Sequence, residues 1–121
     1  MTTRQEAIDA CLVLPDAYED YPFDDANWTV MRHRTNRKIF AAIFEREGRI
    51  WMNVKAEPSW GDFWKSVYPA VVPAYHMNKL HWISVILDGS MTDGEILSLI
   101  DDSYRLTAPK PRRTPKMGAA K

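Results

Sequence analysis

The stretch Lys38-Ile39-Phe40-Ala41-Ala42-Ile43-Phe44-Glu45-Arg46-Glu47-Gly48-Arg49-Ile50-Trp51-Met52-Asn53-Val54-Lys55 decides the fold. Its first half, 38–46, is apolar without interruption from Ile39 to Phe44. A run this short, bounded by charge and with no polar alternate, reads as a strand buried on both faces, which belongs in the middle of a sheet. Glu47-Gly48 supplies a tight reversal. In 49–55, Ile50, Met52 and Val54 alternate with Arg49, Trp51, Asn53 and Lys55, the period-two pattern of a strand with one apolar and one polar face. The pair forms an antiparallel hairpin.

Upstream of this hairpin, 28–33 is β-branched and aromatic enough for a further strand. Arg34-Thr35-Asn36-Arg37 is a polar turn in which Asn36 is the residue suited to positive φ. The three strands make a meander. The segment from Asp16 to Asp25 is too rich in acids and prolines for regular structure and reads as a loop. Before it, Thr3 and Glu6 are spaced as a capping box, opening a helix over 4–14 with Ile8, Cys11 and Leu12 on one face and Pro15 as its stop.

Downstream, Ser59 and Asp62 repeat the capping spacing before a helix over 60–68, whose Trp60, Phe63, Trp64 and Val67 form an aromatic inner stripe. Pro69 and Pro73 hold a non-helical connection, and 81–87 is a fourth strand ending at Asp88-Gly89. Thr92 and Glu95 cap a final helix with Ile96, Leu99, Ile100 and Ser103 on its stripe, ending near residue 106 before Pro109. The order α-β-β-β-α-β-α is α+β: one antiparallel sheet with helices packed mainly on one face. The other face, or the hairpins, is expected to be available to a partner.

The 121 residues fit one domain, assigned to 1–108, followed by a tail over 109–121 that reads as basic and disordered. The formal net charge is zero, but five of the sixteen basic side chains (Lys110, Arg112, Arg113, Lys116 and Lys121) lie in that tail. The body thus keeps eleven bases against sixteen acids. Such a tail is solubilising or a nonspecific phosphate-binding arm. No run approaches the ~20 apolar residues of a membrane-spanning helix. Met1-Thr2-Thr3-Arg4-Gln5-Glu6 lacks the apolar region of a signal peptide, and the single cysteine, Cys11, has no partner for an internal disulfide. These features point to the cytoplasm, with no membrane association.

Catalytic signatures are missing. The five glycines are scattered, with no phosphate-cradling Gly-x-Gly-x-x-Gly, and neither Cys-x-x-Cys nor His-Glu-x-x-His occurs. Cys11 lies on a buried stripe, where a thiol is inert packing. His76 and His81, with Asp24 and Asp25, hold metal-binding side chains, but polar residues at strand ends are the better explanation of the histidines, as a solvated loop is of the acids from Asp16 to Asp25. Neither a catalytic residue, a metal nor a cofactor is assigned.

Two segments carry binding chemistry. Arg32, Arg34, Arg37 and Lys38 fall within seven residues, with Asp25 and Glu45 the nearest acids in sequence, so the first turn is a locally positive prong able to contact phosphates. In Pro73-Ala74-Tyr75-His76-Met77-Asn78-Lys79-Leu80-His81-Trp82, aromatic, amide and cationic groups are interleaved, the mixture that stacks on bases while reaching phosphates. Here Asn78, Lys79, His81 and Trp82 are the contact candidates. Core packing of Tyr75 and Trp82 and a capping role for Asn78 are the structural alternatives.

From Ile8 to Thr107 the sequence resembles the MmcQ/YjbR family. The resemblance rests on Lys38-Ile39-Phe40-Ala41, on Val54-Lys55 ending the next strand, on the Pro73-to-Trp82 run, on the Asp88-Gly89 turn and on Ser103-Tyr104. It implies a CyaY-like fold with a double-wing DNA-binding architecture, and no catalytic residues to carry over. The resulting expectation is a non-catalytic nucleic-acid-binding or regulatory module. The alternative is a protein-interaction adaptor docking through a sheet face around Trp51 and Trp82, with no nucleic acid involved.

Overall fold

A computed structural model describes residues 1–110; the expected basic tail from residue 111 onward lies outside the described residues. The elements are α1 (Arg4–Leu12), β1 (Ala17–Asp20), β2 (Thr29–His33), β3 (Ile39–Arg46), β4 (Arg49–Lys55), α2 (Pro58–Val67), β5 (Val71–Pro73), β6 (Trp82–Ile86) and α3 (Asp93–Thr107). The six strands form one antiparallel sheet in the order β1-β2-β3-β4-β6-β5. β3, the strand apolar on both faces, lies inside it, with β2 on one side and β4 on the other.

Two strands depart from the expected order. Ala17–Asp20, read as loop, is β1, paired with β2 through Ala17 opposite His33 and Asp20 opposite Val30. The proline-rich connection contains β5, paired with β6 through Val71 opposite Val85. Both are the outermost strands of the sheet, of four and three residues, so each satisfies only one row of hydrogen bonds. Pro73 has no N–H to offer outward in any case.

Capping explains the helix ends. Thr3 with Glu6 and Thr92 with Glu95 form reciprocal capping boxes as the spacing predicts. α2 instead starts two residues early: Glu57 occupies the cap without a side-chain bond, and Pro58 takes the first turn, where its missing N–H costs nothing. Ser59 and Asp62 are therefore not its cap.

All three helices lie over one face. Ala7, Ile8 and Cys11 of α1 and Ile96, Leu99 and Ile100 of α3 bury against Met31, Ile43, Met52, Val54, Ile83 and Val85. α3 is fastened by Ser103, whose hydroxyl donates to the Phe40 carbonyl at 2.6 Å and accepts from the Lys55 N–H at 2.8 Å. This bond sits at a bulge: Met31 pairs with Ala41 but Arg32 with Ile39, so Phe40 is the extra residue and its ring turns to meet Tyr104 edge-on at 5.3 Å. α2 meets the sheet differently. Its buried residue is Gly61, at which a Cβ would stand 3.3 Å from the Ile83 side chain. The stripe expected to face inward is the outer one: Trp60, Phe63 and Val67 are each about half exposed, and Trp64 alone of the four is partly covered.

The second face of the sheet is not free. Val30, Ala42, Phe44, Trp51, Asn53 and Ser84 are buried there beneath two loops, 21–28 and 74–81. Trp28 stacks on Phe44 at 4.2 Å and Tyr75 stacks on the same ring at 5.6 Å. The Arg46 guanidinium covers Trp51 and Tyr75 at 4.8 and 4.4 Å. A polar strip beneath holds the second loop down. Asn53 Nδ2 donates to the Tyr75 carbonyl at 2.8 Å, the Tyr75 N–H donates to Ser84 Oγ at 2.9 Å, and Ser84 Oγ donates to Asn53 Oδ1. Every member of this buried network is satisfied, which is what permits it in a core.

Candidate nucleic-acid interface

The register decides which loops meet. Arg32 pairs with Ile39, Ala41 with Val54 and Lys55 with Trp82, so the 34–38 turn, the end of β4 and the start of β6 share one end of the sheet. The C-terminal end of α3 joins them, because Asn36 Nδ2 donates to the Thr107 carbonyl at 3.0 Å. The two segments singled out in the sequence therefore lie at the same end of the sheet, with β4 between them.

The turn itself is rigidly mounted. His33 is buried and its Nε2 lies 2.8 Å from Thr107 Oγ1. That hydroxyl gives its own proton to the Ser103 carbonyl at 2.8 Å, so it is His33 Nε2–H that donates. Burial lowers the proton affinity of His33 below the ordinary histidine value, keeping the ring neutral beneath the turn. Positive φ falls on Arg37, at 62°, and not on Asn36, whose side chain is committed to Thr107 and to the Lys38 N–H at 3.0 Å. The residue expected to make the bend instead ties it to α3.

The four turn cations do not behave alike. Arg32 Nε makes a 2.8 Å ion pair with Asp20 Oδ2, and its Nη1 donates to the Arg37 carbonyl at 2.8 Å. Its charge is used internally, holding β1 to the turn. Arg34 lies over the Tyr18 ring at 5.2 Å, and Arg37 and Lys38 are exposed. Arg34, Arg37 and Lys38 make no ion pair among the described residues, and neither do Lys55 and Lys79. Tyr18, Asp20, Arg34 and Arg37 line a shallow, mostly polar depression.

The second segment contributes less than its composition suggests. Asn78 Oδ1 accepts from the Leu80 and His81 N–H groups at 2.8 and 3.1 Å, so Asn78 builds the turn. Trp82 is partly buried opposite Lys55. Lys79 and His81 are exposed. Lys55, absent from the candidates, joins them only because β4 ends here. Lys55 lines a groove between α2 and α3 together with Glu57, Asp102 and Arg105, and with Trp60, Trp64, Leu99 and Leu106. Burial and then the neighbouring Asp101 raise the Asp102 carboxyl above its usual range.

Cys11 is buried in the core, where burial pushes its thiol up to about 12, outside the range of a working nucleophile. Of the metal candidates, Asp25 and His76 do come together, but His81 lies elsewhere. Among the described residues no group of three His, Cys, Asp or Glu is placed to hold an ion. No helix among the described residues is long and apolar enough to cross a membrane.

A further site was invisible in sequence. Between the loops 21–28 and 74–81, above the second face, lies a pocket of about 310 Å³ lined by Phe23, Asp25, Trp28, Val30, Ile39, Ala42, His76 and Met77. Phe23 and Trp28, two of the three rings in the loop 21–28, were the available signal; they meet edge-on at 6.5 Å. His76 shapes the other wall with a positive φ of 59°.

A six-stranded antiparallel sheet with three helices over one face and two aromatic loops over the other defines a class of small α+β protein. The comparisons give that class its name. A YjbR family model matches residues 12–106, and the chain belongs to this family. It is 31% identical over 103 residues to the uncharacterized protein YjbR of Escherichia coli strain K12, covering 85% of each chain. To the uncharacterized protein YyaQ of Bacillus subtilis strain 168 it is 33% identical over 99 residues, covering 73% of this chain and 83% of the relative. Among solved structures it is similar to Deinococcus radiodurans protein DR2400, a DUF419 domain. The TM-score is 0.78 at 28% identity, covering 88% of this chain and 78% of that one. A crystal structure of a Pseudomonas syringae protein aligns with a TM-score of 0.77 at 33% identity, covering 88% and 99%.

Proposed function

We propose that this chain is a non-catalytic cytoplasmic binding module that engages the phosphates of a nucleic acid through the basic end of its sheet. One observation carries the reading: Arg34, Arg37 and Lys38 on a turn bolted to α3, with Lys55 and Lys79 at the same end of the sheet, have no ion-pair partner among the described residues. Arg32 serves this site by positioning the turn, not by touching phosphate. A rigid turn loses little conformational freedom on binding, which favours contact with a regular backbone. Few contacts and no base-reading helix imply weak, sequence-tolerant affinity.

The test is fluorescence anisotropy with a labelled DNA duplex and the matching single strand at two salt concentrations. Binding should weaken steeply with salt, and Arg34→Glu with Arg37→Glu should flatten that dependence. Salt-independent binding, or binding that ignores both reversals, overturns the reading.

A second reading has its own observation. Of the two tryptophans expected to anchor a protein-docking sheet face, Trp51 is buried and Trp82 partly so, while Trp60, Phe63 and Val67 present an exposed apolar stripe on α2. A protein partner would dock there. Such a partner must be lost when Trp60→Ser and Phe63→Ser are combined; retention sinks this alternative.

A further inference from the structure

We infer that the pocket between the loops 21–28 and 74–81 is a binding site for a compact, planar aromatic molecule carrying a protonated amine. It shares no residue with the basic end of the sheet, and the two sites stand or fall separately.

The cavity has the size and make-up of a small-ligand site. Its volume of about 310 Å³ sits at the lower end of the range of roughly 300–1,000 Å³ for such sites, which also combine apolar walls with a few convergent polar groups. Val30 and Ala42, both buried, supply the floor from β2 and β3, and Ile39 extends it. Trp28 and Phe23 supply an aromatic wall. Trp28 cannot swing freely, because it is stacked at 4.2 Å on Phe44, itself buried in the sheet. Met77 faces this wall from the other loop, and a thioether on a flexible, polarizable side chain adapts well to an aromatic ring. The loop that carries Met77 is pinned through the Tyr75 backbone to Asn53 and Ser84, so the opening between the walls is built into the fold.

Charge selects among flat apolar ligands. Asp25 is the pocket's carboxylate. Its Oδ1 accepts from the Asn27 N–H at 2.9 Å, and it makes no ion pair among the described residues. Asp24 stands next to it in the chain, and no Arg or Lys lines the cavity. A phosphate or carboxylate would meet uncompensated like charge here, whereas an ammonium would meet Asp25 beside the rings of Phe23 and Trp28. His76 at the rim is a further hydrogen-bonding group. These are the requirements of an aromatic amine, and they disfavour a phosphate-bearing ligand.

The experiment is a two-dimensional NMR titration of the full chain with tryptamine and with indole-3-acetate, which share a ring system but carry opposite charge. Tryptamine should give saturable shifts at Val30, Ala42 and Met77, and indole-3-acetate should bind at least tenfold more weakly. Asp25→Asn should cost tryptamine about tenfold and close the gap between the two probes. Ala42→Leu should fill the floor and remove binding of both. Should that variant fail to fold, Phe23→Ala replaces it: its side chain is already half in solvent, and it should weaken tryptamine several-fold while leaving the spectrum otherwise native. Absence of saturable shifts at these positions, equal or tighter binding of the carboxylate, or indifference to Asp25→Asn overturns the assignment.

Discussion

Asn53 shows how much one side chain settles. It was expected on the polar face of a half-solvated strand, yet it is fully buried and supports a loop. Asn53→Ala leaves the Tyr75 carbonyl without its donor and the Ser84 O–H without its acceptor, although Ser84 Oγ still accepts from the Tyr75 N–H, at about 1–3 kcal/mol for each orphaned group. The expected loss of stability by urea unfolding is about 2–4 kcal/mol. The resonances of 74–78 should broaden with it.

His33 makes a second residue-scale prediction, one of pH. The folded chain holds its proton affinity below the ordinary value of 6.5, so below that pH the unfolded chain binds more protons. The stabilising contribution is fully present above about pH 6.5 and is lost as pH falls through and below it. The thermal midpoint should drop between pH 7.5 and 5.5. His33→Gln, which keeps a donor for Thr107, should show a shallower drop over the same interval. The depressed carboxyls act at lower pH and do not confuse this window: Glu6 is held down by hydrogen bonds from Thr2 and Thr3, Glu95 first by the Tyr68 hydroxyl and then by Thr92, and Asp88 by Ser90.

At the scale of elements, the hairpin of β3 and β4 and the stripe of α3 could be read directly, because periodicity reports burial when one or both faces are covered by helices. β1 could not. An outermost strand with one neighbour tolerates Glu19 and Asp20, and the acids disguised it as loop. α2 misled in the opposite direction. An aromatic stripe at helical spacing normally marks the core, but the helix approaches the sheet through Gly61, the small residue that lets backbone near Ile83. The outward rings therefore contribute little to folding. Trp60→Ser should change unfolding free energy by no more than about 0.5 kcal/mol, as for ordinary surface positions. Phe40→Ala, at the bulge, should cost about 3–5 kcal/mol. A large effect at Trp60 in urea titration would mean that the stripe is covered after all.

For the whole molecule, what escaped sequence reading was convergence. The arginine turn was plain in the chain, but its alliance with Lys55 and Lys79 depends on strand register, and the internal commitment of Arg32 depends on β1. Five phosphate contacts imply a slope near −4.5 in log affinity against log salt, or about a 500-fold loss between 50 and 200 mM. The Arg34→Glu and Arg37→Glu pair should lower that slope by about 2. Arg32→Ala is the informative control. It should lower stability, through the loss of the Asp20 bond, while changing the slope less than either reversal.

The short terminal strands of the sheet carry a consequence for recognition. With Pro73 at one border and acids at the other, the sheet of the described residues offers no long open edge onto which a foreign polypeptide could zip. A partner that meets this sheet would then be gripped by side chains and not by an added strand, and under the readings proposed above that grip falls at the tip of a turn, in the cleft beneath the loops or along the aromatic flank of a helix.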